Sequence, residues 1–196
     1  LDGSVHLATE EGRLVADSGT DLSSLVTRAS AGPSYWQLDI LWSPLVTTEQ
    51  TKGAYSLMEQ LMPAKAGPPP HVHDQGDELF YILEGELALQ LGDQVVDGTA
   101  GQLVRIPAGT PHSFAVRSQT ARVLNFYVPG MLDTQVAMLG TAAASFRLPA
   151  RADQHPASPE QHEAFSRRLH DLATQAPSAQ ADLLARYRSD DPPPLP

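Results

Sequence analysis

Gly67-Pro-Pro-Pro-His71-Val-His73-Asp-Gln-Gly-Asp-Glu78-Leu-Phe-Tyr-Ile-Leu-Glu-Gly85 is the stretch on which the reading of this chain turns. Side chains of an extended strand alternate between faces, so His71 and His73 point one way and Val72 the other. Asp74-Gln-Gly-Asp77 is polar and carries a glycine, which predicts a turn before Leu79-Phe-Tyr-Ile-Leu83 opens the next strand. Glu78 then stands at the mouth of that strand, facing the two imidazoles. Further on, Gly101-Gln-Leu-Val-Arg-Ile-Pro107-Ala-Gly109-Thr-Pro-His112-Ser-Phe-Ala-Val116 reads as a short strand, a Pro/Gly turn and a second strand with a histidine near its start. Such a hairpin can deliver a fourth ligand to the same point.

His71, His73, Glu78 and His112 are therefore the candidate ligands of one divalent metal ion. Imidazole suits zinc, copper, iron and nickel, and a carboxylate adds a hard donor that also suits manganese. The ligand types do not choose among iron, manganese, nickel, cobalt, copper and zinc. Three neutral nitrogens and one carboxylate leave a divalent ion with net positive charge and, at five or six coordination, with open positions. Structural zinc sites are closed and usually contain cysteine, of which the chain has none. An isolated H-x-H is common on protein surfaces; the complete spacing sets this one apart. His6, His155, His162 and His170 lack such spacing and read as surface histidines.

The two segments resemble the paired motifs of the cupin superfamily, G-x5-H-x-H-x3,4-E-x6-G and G-x5-P-x-G-x2-H-x3-N. His71 through Gly85 match the first from its H-x-H onward, and Gly101, Pro107, Gly109 and His112 match the second. Lys65 stands where strict spacing places the leading glycine, with Gly67 two residues later, and Val116 replaces the closing asparagine. A softer resemblance, to single-cupin proteins similar to bacterial quercetin dioxygenases, covers roughly residues 30 to 190. It includes Gly32-Pro-Ser-Tyr-Trp36, Pro44-Leu-Val-Thr-Thr-Glu-Gln-Thr51, Gly53-Ala-Tyr-Ser-Leu-Met-Glu59 and Pro129-Gly130.

The resemblance implies an all-β fold, a double-stranded β-helix or jelly-roll barrel with a short helical C-terminal extension. It implies an enzyme, a metal-dependent dioxygenase cleaving a flavonol or other enolic aromatic substrate with O2. There the substrate's acidic hydroxyl binds the metal and Glu78, as ligand or swung free, is the catalytic base; in the flavonol reaction the ring opens and carbon monoxide leaves. Cupins also resemble isomerases, decarboxylases and lyases that use no oxygen, and small-molecule-binding proteins without catalysis. If strand alternation holds, Phe80 and Ile82 share the phase of Glu78, and Phe114 that of His112. These three, with Tyr35, Trp36, Tyr55, Met58 and Phe126, are the candidate wall of a substrate pocket.

The remaining sequence agrees with one domain of this kind. At 196 residues and 41% hydrophobic content the chain can bury one substantial core. A net charge of −10 argues against nucleic acid and anionic membrane as partners. No apolar run approaches bilayer length, and Leu1-Asp-Gly-Ser lacks the basic-then-apolar pattern of a leader; with no cysteine to suggest an oxidising compartment, a cytoplasmic location is expected.

Residues 1–33 read as an arm of short strands or loop, 34–130 as the barrel, 131–189 as a helical extension and 190–196 as an extended tail. Runs such as Tyr55 to Met62, Glu86 to Leu91 and Arg122 to Val128 alternate with Gly, Pro and Asp turns, and Leu91-Gly-Asp-Gln-Val95 predicts a hairpin. Met131 to Leu139 predicts a short helix and Leu148 to Pro156 a linker. Ser158-Pro-Glu-Gln161 has the form of a helix start, with Phe165, Leu169 and Leu172 behind it on one face. Open antiparallel edges favour a homodimer in which the arm or the tail covers them. No internal repeat is present.

Overall fold

The computed structural model describes residues 8–10, 13–15, 25–73, 76–150, 158–164 and 167. The expected apolar stripe of Phe165, Leu169 and Leu172, most of the linker, the tail, His6, His155, His170 and the first half of the Asp74–Asp77 turn lie outside these residues. In chain order the strands are β1 (Ala8–Glu10), β2 (Arg13–Val15), β3 (Ser34–Gln37), β4 (Ile40–Val46), β5 (Ser56–Pro63), β6 (Asp77–Glu84), β7 (Glu86–Leu91), β8 (Gln94–Thr99), β9 (Leu103–Ile106), β10 (His112–Val116) and β11 (Thr120–Val128). A helix, α1 (Leu132–Leu139), and a last strand, β12 (Thr141–Ala143), follow.

β1 and β2 pair with each other as a two-stranded sheet, the short strands expected of the arm. The others form a seven-stranded sheet in the order β12-β3-β4-β5-β11-β6-β9 and a three-stranded sheet in the order β10-β7-β8. Every pairing in both sheets is antiparallel. Alternation along each strand sends one set of side chains inward. Met58 and Met62 from β5, Phe80 and Ile82 from β6 and Val123 from β11 meet Leu87 and Leu89 from β7 and Phe114 and Val116 from β10 in a single core cluster. Two antiparallel sheets closed over one apolar core make the jelly roll that the sequence predicts.

The chain passes from one sheet to the other at Gly85, the single residue between β6 and β7. Its φ is 87°, and a Cβ there would lie 2.4 Å from the Thr120 carbonyl oxygen and 2.9 Å from the Ala121 Cα. Conformation and space both demand glycine at this motif position. Gly92, at φ 57°, begins the two-residue turn that closes the predicted β7–β8 hairpin.

The two departures from the motif have physical readings. Lys65 holds φ 70°, the left-handed conformation for which glycine is suited. Gly67 is needed for a different reason, because a Cβ on it would meet the Phe114 carbonyl oxygen at 1.8 Å. Val116 is buried at 3% exposure, and its backbone binds the neighbouring segment, its N–H donating to Ala66 O at 3.0 Å and its carbonyl accepting from Lys65 N–H at 2.9 Å. Lys65→Gly removes a strained side chain without removing a packed one, since Lys65 is exposed. We expect it to raise the unfolding free energy by about 0.5–1 kcal/mol, read from the urea midpoint.

Beyond the barrel, the expected helix forms one residue short of its predicted start. Its first turn is tied down by Asp133, which accepts hydrogen bonds from the Thr48 hydroxyl and, at 2.9 Å, from the Thr48 N–H. The next segment departs from expectation: Thr141–Ala143 is a strand that pairs with β3, Thr141 opposite Trp36. A three-residue Thr-Ala-Ala run has no readable period, and the open edge of β3 decides its conformation. At Ser158 the helix start is as predicted, a reciprocal cap in which Gln161 N–H donates to the Ser158 hydroxyl at 3.2 Å and Ser158 N–H to the Gln161 side-chain oxygen at 2.7 Å. His162, read as a surface residue, is instead half-buried with a buried Nδ1.

Candidate metal centre

His71 and His112 are brought together by the backbone. They form an antiparallel bridge in which each N–H donates to the other's carbonyl at 2.9 Å. His73 is fixed by the Pro/Gly turn, because its carbonyl accepts the Gly109 N–H at 2.8 Å. The same turn is held to β6 by Asp77, which accepts the Ala108 N–H at 2.9 Å and the Arg105 Nε–H at 2.8 Å. Those two partners, the Ala108 N–H foremost, hold the Asp77 carboxyl below the usual carboxylate range. The residue before Glu78 thus locks the loop that leads to His112.

One nitrogen or oxygen from each of His71, His73, Glu78 and His112 lies within 4.8 Å of the corresponding atom in every other. His71 Nε2 is 3.1 Å from His73 Nε2, His112 Nε2 is 3.0 Å from Glu78 Oε2, and His73 Nε2 is 3.5 Å from the same oxygen. Bonds of about 2.1 Å to one ion place neighbouring donors about 3.0 to 3.4 Å apart, so these separations fit a shared cation. The other ring nitrogens are already used. His71 Nδ1 donates to the Pro69 carbonyl at 2.9 Å and His112 Nδ1 to the Thr110 carbonyl at 2.8 Å, so each ring has only Nε2 to offer a metal; in His112 that nitrogen carries a proton donated to Glu78 Oε2, which a metal would replace.

Glu78 is 4% exposed and His112 2%. Burial pushes the Glu78 carboxyl up, but the His112 hydrogen bond, the nearby imidazoles and the Asn125 amide outweigh it and hold the group below its ordinary range. Burial likewise pushes His112 down, and its bonds to Glu78 and the Thr110 carbonyl reverse that and raise it. For His71 burial wins, aided by repulsion from His112, and the imidazole is pushed down toward the neutral form a metal requires.

Asn125 is absent from the candidates drawn from sequence. Its Nδ2 donates to Glu78 Oε1 at 2.6 Å, which leaves Oε2 directed at the histidines. The available signal was a polar side chain at an inward position of an otherwise apolar strand. The ring of Tyr127, the next inward residue of β11, meets His73 edge-on at 5.0 Å between centroids. Asn125→Leu removes the Glu78 partner and should weaken metal binding about 10–100-fold in a competition titration with a coloured chelator.

A small cleft, partly open to solvent, reaches the centre. His71, His73 and Glu78 border it together with Phe114, Trp42, Gln37 and Leu132. Of the eight predicted wall residues, only Phe114 borders this cleft. Met58, Phe80 and Ile82 have the inward phase but are wholly buried, with Phe80 packed edge-on against Phe114 at 5.2 Å. Tyr55 is 40% exposed in the loop before β5. Phe126 lies between the inward Asn125 and Tyr127 and so projects from the other face of β11. Tyr35 packs against the core, and Trp36 alternates with Gln37, the β3 residue that does reach the cleft.

Residues 57–127 match the Cupin domain family. The chain carries a cupin domain, built as a jelly roll with a short helical extension and similar to quercetinases. A curated relative is quercetin 2,3-dioxygenase of Bacillus subtilis (strain 168), 30% identical over 70 residues, a stretch that is 36% of this chain and 21% of that protein. The match thus spans about a fifth of the relative's length. Among solved structures, KdgF from Halomonas sp. is 16% identical, with 53% of this chain and 92% of that one covered at a TM-score of 0.47. A predicted oxalate decarboxylase from Thermotoga maritima is 20% identical over 53% of this chain and 98% of its own, at a TM-score of 0.48. Among the described residues, no helix is long and apolar enough to cross a membrane.

Proposed function

We propose that this protein is a metal-dependent dioxygenase, quercetinase-like, which cleaves a flavonol or related enolic aromatic compound with O2. The observation that carries the reading is the convergence of three Nε2 atoms and one Glu78 oxygen at the edge of a cleft walled by Phe114 and Trp42. A divalent ion held there supplies a Lewis acid that lowers the pKa of a coordinated hydroxyl. Glu78 is ionised and has its Oε1 fixed by Asn125, so Oε2 is the atom that accepts the proton of an enolic hydroxyl entering the cleft. His71 and His112, each clamped through Nδ1 to a backbone carbonyl, would hold their Nε2 atoms in place as ligands of that ion. The mostly apolar wall suits an aromatic ring.

The reading is tested with protein loaded separately with iron, manganese, nickel, cobalt, copper or zinc. Anaerobic mixing with quercetin should shift the flavonol's absorption, and admission of oxygen should then consume flavonol and O2 together. Loaded protein that produces neither change with any of these ions refutes the assignment. Flavonol or diketone consumed without oxygen uptake moves the protein to a non-oxygenating class.

A further inference from the structure

Two buried donors in the cleft wall have no role in the metal centre. Gln37 is 6% exposed and Trp42 5%, and both border the cleft. Gln37 Nε2 and the indole Trp42 Nε1 are each shielded from solvent and have no hydrogen-bond acceptor among the described residues. An N–H buried without an acceptor is costly, and native structures leave few of them. Here two occur on adjacent strands, and both belong to residues that wall the same opening as the metal ligands.

Their place in the sheet says which part of a ligand they meet. The seven-stranded sheet runs β3-β4-β5-β11-β6, so Trp42 on β4 is three strands from Glu78 on β6. At about 4.8 Å per strand this is roughly 14 Å along the curve of the sheet. A substrate whose enolic group sits at the histidines therefore presents its far portion to β3 and β4. We propose that Gln37 and Trp42 are specificity-determining residues whose N–H groups, covered in the free protein, turn into the cleft to donate to oxygen atoms on the part of the substrate remote from its metal-binding group. The cleft then selects polyoxygenated aromatic compounds over those whose only oxygens are the chelating pair. This rests on the assignment of an enolic aromatic substrate and extends it to the other end of the molecule.

Two ligands with the same chelating group separate the possibilities. 3-Hydroxyflavone carries that group on otherwise unsubstituted rings, whereas quercetin adds ring hydroxyls. Affinities are measured by anaerobic calorimetry on zinc-loaded protein, for the unmodified chain and for Gln37→Leu and Trp42→Phe, which remove the donors and keep most of the volume. Gln37→Leu should bind quercetin about 5- to 20-fold more weakly, the usual effect of one lost hydrogen bond in a buried site, and 3-hydroxyflavone within about twofold of the unmodified protein; Trp42→Phe, which also trims the aromatic wall, should weaken quercetin at least about 5-fold more than 3-hydroxyflavone.

A second measurement needs no loss of a side chain. The chain has two tryptophans, so two indole N–H signals, and the one missing from Trp42→Phe identifies its residue. That signal should move downfield on adding quercetin and stay in place with 3-hydroxyflavone, which tests the donor even if a variant folds poorly. Equal weakening for both ligands would reduce the two residues to packing roles and overturn the proposal. So would unweakened quercetin binding by both variants, an indole signal that quercetin leaves unmoved, or no binding of quercetin by the unmodified protein. Oxygen uptake distinguishes this from failure of the dioxygenase reading: quercetin held by both donors but never oxidised sinks the reaction, and 3-hydroxyflavone oxidised without discrimination sinks the specificity.

Discussion

Replacing His73 with alanine is expected to strip the protein of its metal. His73 Nε2 lies 3.1 Å from His71 Nε2 and 3.5 Å from Glu78 Oε2, so it occupies one corner of the donor set, and among the described residues no further His, Cys, Asp or Glu joins that set. Loss of an outer partner of a ligand typically costs about 10–100-fold in affinity, and loss of the ligand itself should exceed about 100-fold. The barrel should survive, because His73 contributes a ring at the cleft edge and is not part of the apolar cluster of β5, β6, β7, β10 and β11. The expected result is a circular dichroism spectrum like that of the unmodified protein, with metal absent after dialysis. Full metal content in the variant would refute the ligand assignment.

Glu78→Gln should abolish most of the reaction by a different route. Glutamine has nearly the same shape, and its amide oxygen can still accept the Asn125 hydrogen bond. It cannot take a proton at neutral pH, and it replaces an anionic donor by a neutral one. General-base contributions are about 10²–10⁴-fold, so flavonol-dependent oxygen uptake per bound metal should fall at least about 100-fold. Normalising to bound metal separates the two losses, because weaker retention lowers occupancy and a missing base lowers turnover. A rate per bound metal within about threefold of the unmodified protein would show that Glu78 is a ligand only.

The parts of this site legible in the sequence are those set by local geometry. Two histidines one residue apart share a strand face, and the Pro/Gly turn before His112 announces itself in Pro107 and Gly109. The alternation of Glu78, Phe80 and Ile82 was readable for the same reason, and all three side chains are buried. What could not be read depends on partners distant in the chain. Asn125 meets Glu78 across 47 residues, a pairing fixed by the register of β11 on β6. Strand phase identifies Phe80 and Ile82 as inward but not their depth, and both belong to the core cluster and not to the cleft wall. Gln37 and Trp42 lie in the opening segment of the barrel, where no ligand motif fixes which face of β3 and β4 turns to the cleft. β12 has too short a sequence to carry a period and takes its conformation from the edge of β3.

The central claim is that His71, His73, Glu78 and His112 hold one ion in common. Elemental analysis of protein purified without added metal, then saturated with a single divalent ion and dialysed, tests it most directly. One ion retained per chain in the unmodified protein, with none retained by the His73→Ala variant handled alongside, is the predicted result. No retained ion in the unmodified protein, or equal retention in both, would contradict it.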